Sequence, residues 1–223
     1  MQEAIEFIRQ GGWPMIPLAI CSLAALTVII ERSFALRRSK VMHPSALDLV
    51  NTYRGEVSAA PGVYTCQRAR GSLSRIVEEV IHSRDMDRAH IVESMQATGR
   101  REVGHLERGL TLLEIVAGIS PLIGLLGTVL GMVTVFDAIT AEGIGNPQVL
   151  SNGISKALVT TVAGLCIAIP SLAFHSYFSR RVESLAMEMQ DVAMGFITKV
   201  RMPAPRPSKE VAVETMPFAE PQA

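Results

Sequence analysis

Two threonines, a lysine and a glutamate stand in or beside stretches of this sequence that are otherwise apolar enough for lipid. Thr128 lies within "SPLIGLLGTVLGMVTVF" and Thr161 within "GISKALVTTVAGLCIAIP"; Lys156 comes five residues before Thr161, and Glu114 just precedes the first stretch. Polar and ionisable groups are costly in hydrocarbon, so each needs water, a partner or a task. The tasks open to them are few. A hydroxyl can accept and hand on hydrogen bonds, a carboxylate can gather cations, and an ammonium can pair with an acid. Such groups can build a polar track through an apolar bundle, or simply satisfy themselves locally.

The spacing around the threonines is that of helices in close contact. Gly124, Thr128, Gly131 and Val135 follow one another at steps of four, three and four, and Ala157, Thr161, Gly164 and Ala168 repeat those steps. Gly127 and Gly131 add a GxxxG pair. Lipid gives apolar helices no reason to associate, so small residues bring backbones together instead. Gly124, Gly127, Gly131, Ala157, Gly164 and Ala168 are therefore the candidate packing residues. If the two stretches form a hairpin about Gly143, Thr128 and Thr161 lie within roughly 5 Å of each other in depth, near mid-membrane. Two level hydroxyls can form a polar collar. Each can equally satisfy itself on its own helix carbonyl, which leaves ordinary packing as the competing reading.

These side chains need elements to hold them. The chain has 223 residues, is 48% hydrophobic and 19% charged, and has a mean hydropathy of +0.30. The apolar residues gather in three blocks of about 20 residues or more, the length that crosses a hydrocarbon core of roughly 30 Å. The expected fold class is all-α, a three-span membrane protein with long helices extending into a helical cytoplasmic domain. Its spans are placed at 13–31, 112–139 and 149–177, with a helical segment at 32–111, a short link at 140–148 and a helix extension at 178–201. Residues 1–12 form an outer amino terminus without the marks of a cleaved signal, and the Pro-rich tail at 202–223 reads as disordered. Apart from Arg9 and Lys156, every Lys and Arg lies in the middle segment or after the third span. The positive-inside rule then puts the amino terminus and the 140–148 link outside, and the middle segment and tail in the cytoplasm.

Within the middle segment, "PSALDLVNTYR" and "GSLSRIVEEVIHSRD" read as short amphipathic helices separated by a break at "SAAPG". A longer stripe follows from Asp87: Val92, Met95, Gly99, Val103, Leu106, Leu110, Leu113 and Ala117 recur at three and four residues. It predicts one unbroken helix running into the second span. Val182, Leu185, Met189, Ala193 and Phe196 predict a similar projection beyond the third.

Several function classes lack support. The five histidines are scattered without metal-ligand spacing, so neither a metal nor a cofactor is expected. Cys21, Cys66 and Cys166 suggest no disulfide framework and read as packing residues. "GLLGTVLG" is followed by no Gly-Lys-Ser/Thr and is not a phosphate loop. Basic residues are balanced by acids, at net charge +0, without interleaved aromatics, so nucleic-acid binding is not expected.

"SPLIGLLGTVLGMVTVF" together with "GISKALVTTVAGLCIAIP" resembles the motif pair of the MotA/TolQ/ExbB proton-channel family, nearest its ExbB/TolQ branch. The resemblance implies a homopentamer in the bacterial inner membrane around a dimer of a single-span ExbD/TolR-like partner, with lipid outside. It implies that the pore-lining threonines, here Thr128 and Thr161, face an intramembrane aspartate of that partner. It further implies that proton flow moves the partner, which energises a TonB-like or TolA-like protein, for transport across the outer membrane or for its upkeep. The alternative is a passive oligomeric scaffold without conduction.

One position departs from the family pattern. Where ExbB and TolQ sequences usually carry glutamate ("GIxEAL"), this chain has Lys156. Its stem can snorkel to the outer interface, or its ammonium can pair with the partner's aspartate, Asp137 or Glu142. It is a candidate pore-mouth or gating charge, with a snorkelling bystander as the alternative. Glu114 is a candidate for the cytoplasmic entrance, either gathering cations or simply facing water.

Overall fold

A computed structural model describes residues 12–53, 71–142 and 147–201 of the chain. Among them the only regular structure is helical: α1 (Met15–Ala35), α2 (Arg38–Val41), α3 (Pro44–Thr52), α4 (Ser72–His82), α5 (Arg88–Glu107), α6 (Leu110–Glu142) and α7 (Pro147–Arg201). Three are long and apolar enough to cross a membrane: α1, α6 over Leu110–Thr140, and α7 within Ser151–Val200. The expected all-α, three-span class is thus observed. The "SAAPG" break, Cys66, residues 1–11, the tip of the link and the tail lie outside the described residues.

α1, α6 and α7 pack together, with α6 against α7 as the dominant contact. Near the start of α1, Met15 and Leu18 are buried against Ala163 of α7, with Ile123 and Ile167 packed around them. At its other end Arg32 reaches the junction of α5 and α6. Successive long helices therefore run antiparallel. Their outward faces carry Leu23, Ile30, Leu122, Leu125, Val129, Phe136, Leu158, Ile169 and Leu172, all well exposed in the single chain. A bilayer or neighbouring helices suit such a surface; water does not. Polar side chains on these faces bond within their own helix, as Thr27 Oγ1 does to Leu23 O at 2.8 Å and Ser33 Oγ to Ile29 O at 2.7 Å. Cys166 sits on the outward surface, away from the buried core, and Cys21 is half-buried.

Beyond the apolar part of α7, its second half forms one core with the short helices. Leu185, Met189, Ala193 and Phe196 are buried against Leu73, Val77 and Val80 of α4, Ala46 of α3, and Ile91 and Met95 of α5. The Tyr53 and Phe196 rings meet edge to face at 5.1 Å. Lys199 donates to Val50 O at 2.9 Å, satisfying a carbonyl in the last turn of α3. Arg75 on α4 bonds Glu102 on α5 at 2.8 Å, pairing a carboxylate whose side chain is only 7% exposed.

The unbroken helix expected from Asp87 into the second span is not what forms. α5 ends at Glu107; Arg108 takes ψ 135° and Gly109 φ +84°, after which α6 begins. That φ is the left-handed region, open to glycine without a Cβ penalty. Arg32 Nη1 donates to Leu106 O at 3.1 Å, so one carbonyl freed by the break is capped from α1. The stripe survives nonetheless, with Leu106, Leu110 and Leu113 all buried. The break therefore redirects the helix without turning its apolar side outward.

Candidate functional site

The small residues of α6 and α7 meet one another face to face. A Cβ added to Gly124 would lie 3.0 Å from Thr160 O and from Thr161 Cα. One on Gly131 would lie 2.8 Å from Ala157 Cβ, and one on Gly164 would lie 2.5 Å from Ser120 O. The last obstacle is backbone and cannot swing aside. Gly127 faces the hydroxyl of Thr160, and Gly153 faces Val135. Ala157 and Ala168 are buried in the same seam. The helices approach this closely because glycine supplies no side chain to hold them apart.

That approach places the Gly124 carbonyl between two threonines. Thr161 Oγ1 donates to Gly124 O at 3.1 Å, across the helix pair. Thr160, fully buried, donates to Ala157 O at 2.8 Å, with Gly124 O further off at 3.5 Å. Thr128 Oγ1 donates to Leu125 O at 2.7 Å within its own helix. Since Thr161 is level with Gly124, Thr128 lies four residues, about 6 Å, further toward the link. The structure gives no bond between Thr128 and Thr161. Both are half-buried in the single chain.

Every donor in this group is used internally, and the consequence is chemical. A hydroxyl that has given its proton to a helix carbonyl still has lone pairs. Thr128 and Thr161 therefore keep acceptor capacity, suited to a donor such as water or a protonated acid. Ser120 Oγ, buried beside Gly164, has no hydrogen-bond partner among the described residues.

The ionisable candidates lie toward opposite ends of the hairpin. Lys156 is exposed on α7 and reaches the residue before Trp13: a Cβ on Gly12 would lie 2.7 Å from its Nζ. Gly12 has φ +69°, so glycine is favoured there on two counts. Among the described residues no carboxylate lies within ion-pair distance of Lys156. Asp137 is exposed and unpaired among those residues, and the side chain of Glu142 lies outside them. At the other end Glu114 Oε2 stands 4.0 Å from His175 Nε2, joining α6 to α7. The glutamate side chain is 68% exposed and the histidine 22%.

Sequence reasoning gave no role to Thr160, Arg32 or His175. Thr160 could have been found from the glycine opposite it, since Gly127 and Thr160 pair through space as bulk and gap. Nothing nearby in sequence marks Arg32 as a cap for a carbonyl 74 residues on.

Comparison with known proteins agrees with this geometry. The MotA/TolQ/ExbB proton channel family matches the chain over residues 68–191, a stretch that includes α6 and most of α7. The chain is 31% identical over 178 residues to the biopolymer transport protein exbB1 of Vibrio cholerae, covering 78% of each. It is 33% identical over 107 residues to the Tol-Pal system protein TolQ of Haemophilus influenzae, covering 48% of this chain and 47% of the relative. A biopolymer transport protein ExbB homolog of Methanothermobacter thermautotrophicus is 26% identical over 180 residues, which cover 80% of this chain but 64% of that protein. With more than half of its length matched and its paired small-residue helices in contact, the chain belongs to the MotA/TolQ/ExbB proton channel family.

Proposed function

We propose that this protein is the channel and stator subunit of an inner-membrane complex driven by the proton-motive force. In this reading five copies surround an ExbD/TolR-like single-span partner. α6 and α7 line the central path, and the partner's movement energises a TonB-like or TolA-like protein acting at the outer membrane. The amino terminus faces the periplasm and the helical core lies in the cytoplasm, a topology supported by the distribution of basic residues.

The observation that carries the reading is the hydrogen-bond state of the threonines. With their protons held by Leu125 O and Gly124 O, Thr128 and Thr161 offer acceptors to the path. An acceptor favours the protonated, neutral form of a facing carboxyl group and so holds a proton in place. The pentamer then needs no proton carrier of its own in mid-membrane. Lys156 acts as a charge at the outer mouth, where it repels cations until a partner's acid compensates it. Glu114, beside His175, acts as the acid at the cytoplasmic entrance.

One observation favours the passive-scaffold reading: the same bonds satisfy each hydroxyl without any partner. Replacing Thr128 and Thr161 together by valine decides between the two. The channel reading requires partner-dependent proton flux to fall with the oligomer intact; the scaffold reading requires flux, if any, to be unchanged.

A further inference from the structure

A second site lies where α1 ends and α7 leaves the apolar region. Ser33 of α1, Leu36 and Arg37 just beyond its end, and Tyr177, Phe178 and Arg181 of α7 enclose a cleft of about 330 Å³. Leu36 and Phe178 form its buried apolar floor. Two guanidinium groups and a phenol stand on its walls, and no carboxylate lines it.

The charges around it are not balanced. Arg37 makes no ion pair with any described residue; its guanidinium stands 5.0 Å from the centre of the Phe34 ring. Glu188, an acid that feels the charge of Arg181, has both oxygens engaged by Arg38, at 3.0 and 3.1 Å from its Nε. Ser33 spends its proton on Ile29 O. The exposed Tyr177 hydroxyl has no hydrogen-bond partner among the described residues. Lys40 and Arg180 add positive charge close by in sequence. Glu31 is bonded to Arg32 instead.

We propose that this cleft binds the phosphate of an anionic glycerophospholipid. Guanidinium groups bind phosphate oxygens through paired N–H donors, and two of them converge here with a phenolic O–H. Position distinguishes a lipid from free phosphate. The cleft opens at the end of a candidate span, and Ile30, Phe34, Phe174 and Tyr177 continue from it as exposed apolar surface along which acyl chains can lie. The surplus of cations favours a headgroup with net negative charge. A zwitterionic headgroup would bring an ammonium toward the second guanidinium. Juxtamembrane basic clusters gain affinity for anionic lipid by the same electrostatics.

Native mass spectrometry of the delipidated full-length protein in detergent tests the site. Phosphatidylglycerol, phosphatidylethanolamine and inorganic phosphate serve as separate probes. Wild type should prefer phosphatidylglycerol over phosphatidylethanolamine by about tenfold, a differential of about 1.4 kcal/mol. Arg37→Gln with Arg181→Gln should bring that ratio within about twofold of unity, while Arg84→Gln, outside the cleft, should leave it unchanged. Lysine at both positions keeps the charge but loses the planar fork and should give an intermediate ratio. Helix content by circular dichroism verifies that each variant is folded; both arginines lie outside the buried core, so it should not change. A double glutamine variant that keeps the wild-type preference overturns the proposal. So does displacement of phosphatidylglycerol by equimolar inorganic phosphate.

Discussion

Removing the two hydroxyls of Thr128 and Thr161 while keeping their shape is the sharpest test of the channel reading, because structure and function should respond unequally. Thr161→Val deletes one bond between helices, Thr161 Oγ1 to Gly124 O at 3.1 Å. Such bonds in membrane helices contribute on average about 0.6 kcal/mol and at most about 2 kcal/mol. Thr128→Val deletes only a bond within α6. Gly124, Gly131 and Gly164 still allow the helices to approach, so the double variant should assemble. Its effect on proton handling should be larger. Each lone-pair acceptor facing a protonated carboxyl contributes about 1 kcal/mol, so losing both removes about 2 kcal/mol, or roughly thirtyfold in occupancy of the protonated form. Partner-dependent flux should fall by about the same factor where that occupancy limits conduction, read as dye acidification in proteoliposomes holding both proteins. Thr161→Ser with Thr128→Ser should recover most of it. Double-valine flux within about twofold of wild type, from complexes of unchanged size, would refute the reasoning and leave the scaffold.

Other outcomes follow from single contacts. Gly109→Ala forces a Cβ into a left-handed conformation and toward Arg32 Nε, 3.3 Å away, so it should cost about 1–2 kcal/mol and lower the melting temperature in detergent. Arg32→Met uncaps Leu106 O and should cost about 1–3 kcal/mol in the same assay. The Arg38 guanidinium, bonded to Glu188, holds that carboxyl below its usual value of 4.5, against a smaller opposing effect of burial. A depressed folded-state pKa gives stability that is present above the unfolded value and lost as pH falls through the folded one. The melting difference between wild type and Glu188→Gln should therefore be constant near neutral pH and vanish below the carboxylate range. It should also be small, as for any exposed pair. Lys156→Met should change transport activity more than Lys40→Met, which removes only a juxtamembrane charge; equal and negligible effects would make Lys156 a snorkelling bystander.

Much of the architecture was legible before any coordinates. Continuous apolar runs define spans because a bilayer requires that length and tolerates no unpaired backbone. Recurrence at three and four residues marked the buried sides of the extended helices, and Leu185, Met189, Ala193 and Phe196 lie in the core together. The break at Gly109 was hidden for a specific reason. The stripe keeps its phase through Leu106, Leu110 and Leu113, so periodicity gave no sign of a redirected backbone.

The chain order thus determines what each helix can bury, since hydrophobic period and small-residue spacing are properties of one helix at a time. Only the tertiary structure decides which atoms then meet. It put Thr160 fully inside the seam and left Thr161 at its edge, although the two are neighbours in sequence. It brought Glu114 to His175, Lys156 to Gly12 and Arg32 to Leu106. Rotating a helix by a single residue turns it about 100°, enough to exchange such partners. That rotation is fixed by glycine gaps and side chains on the opposing helix, far away along the chain.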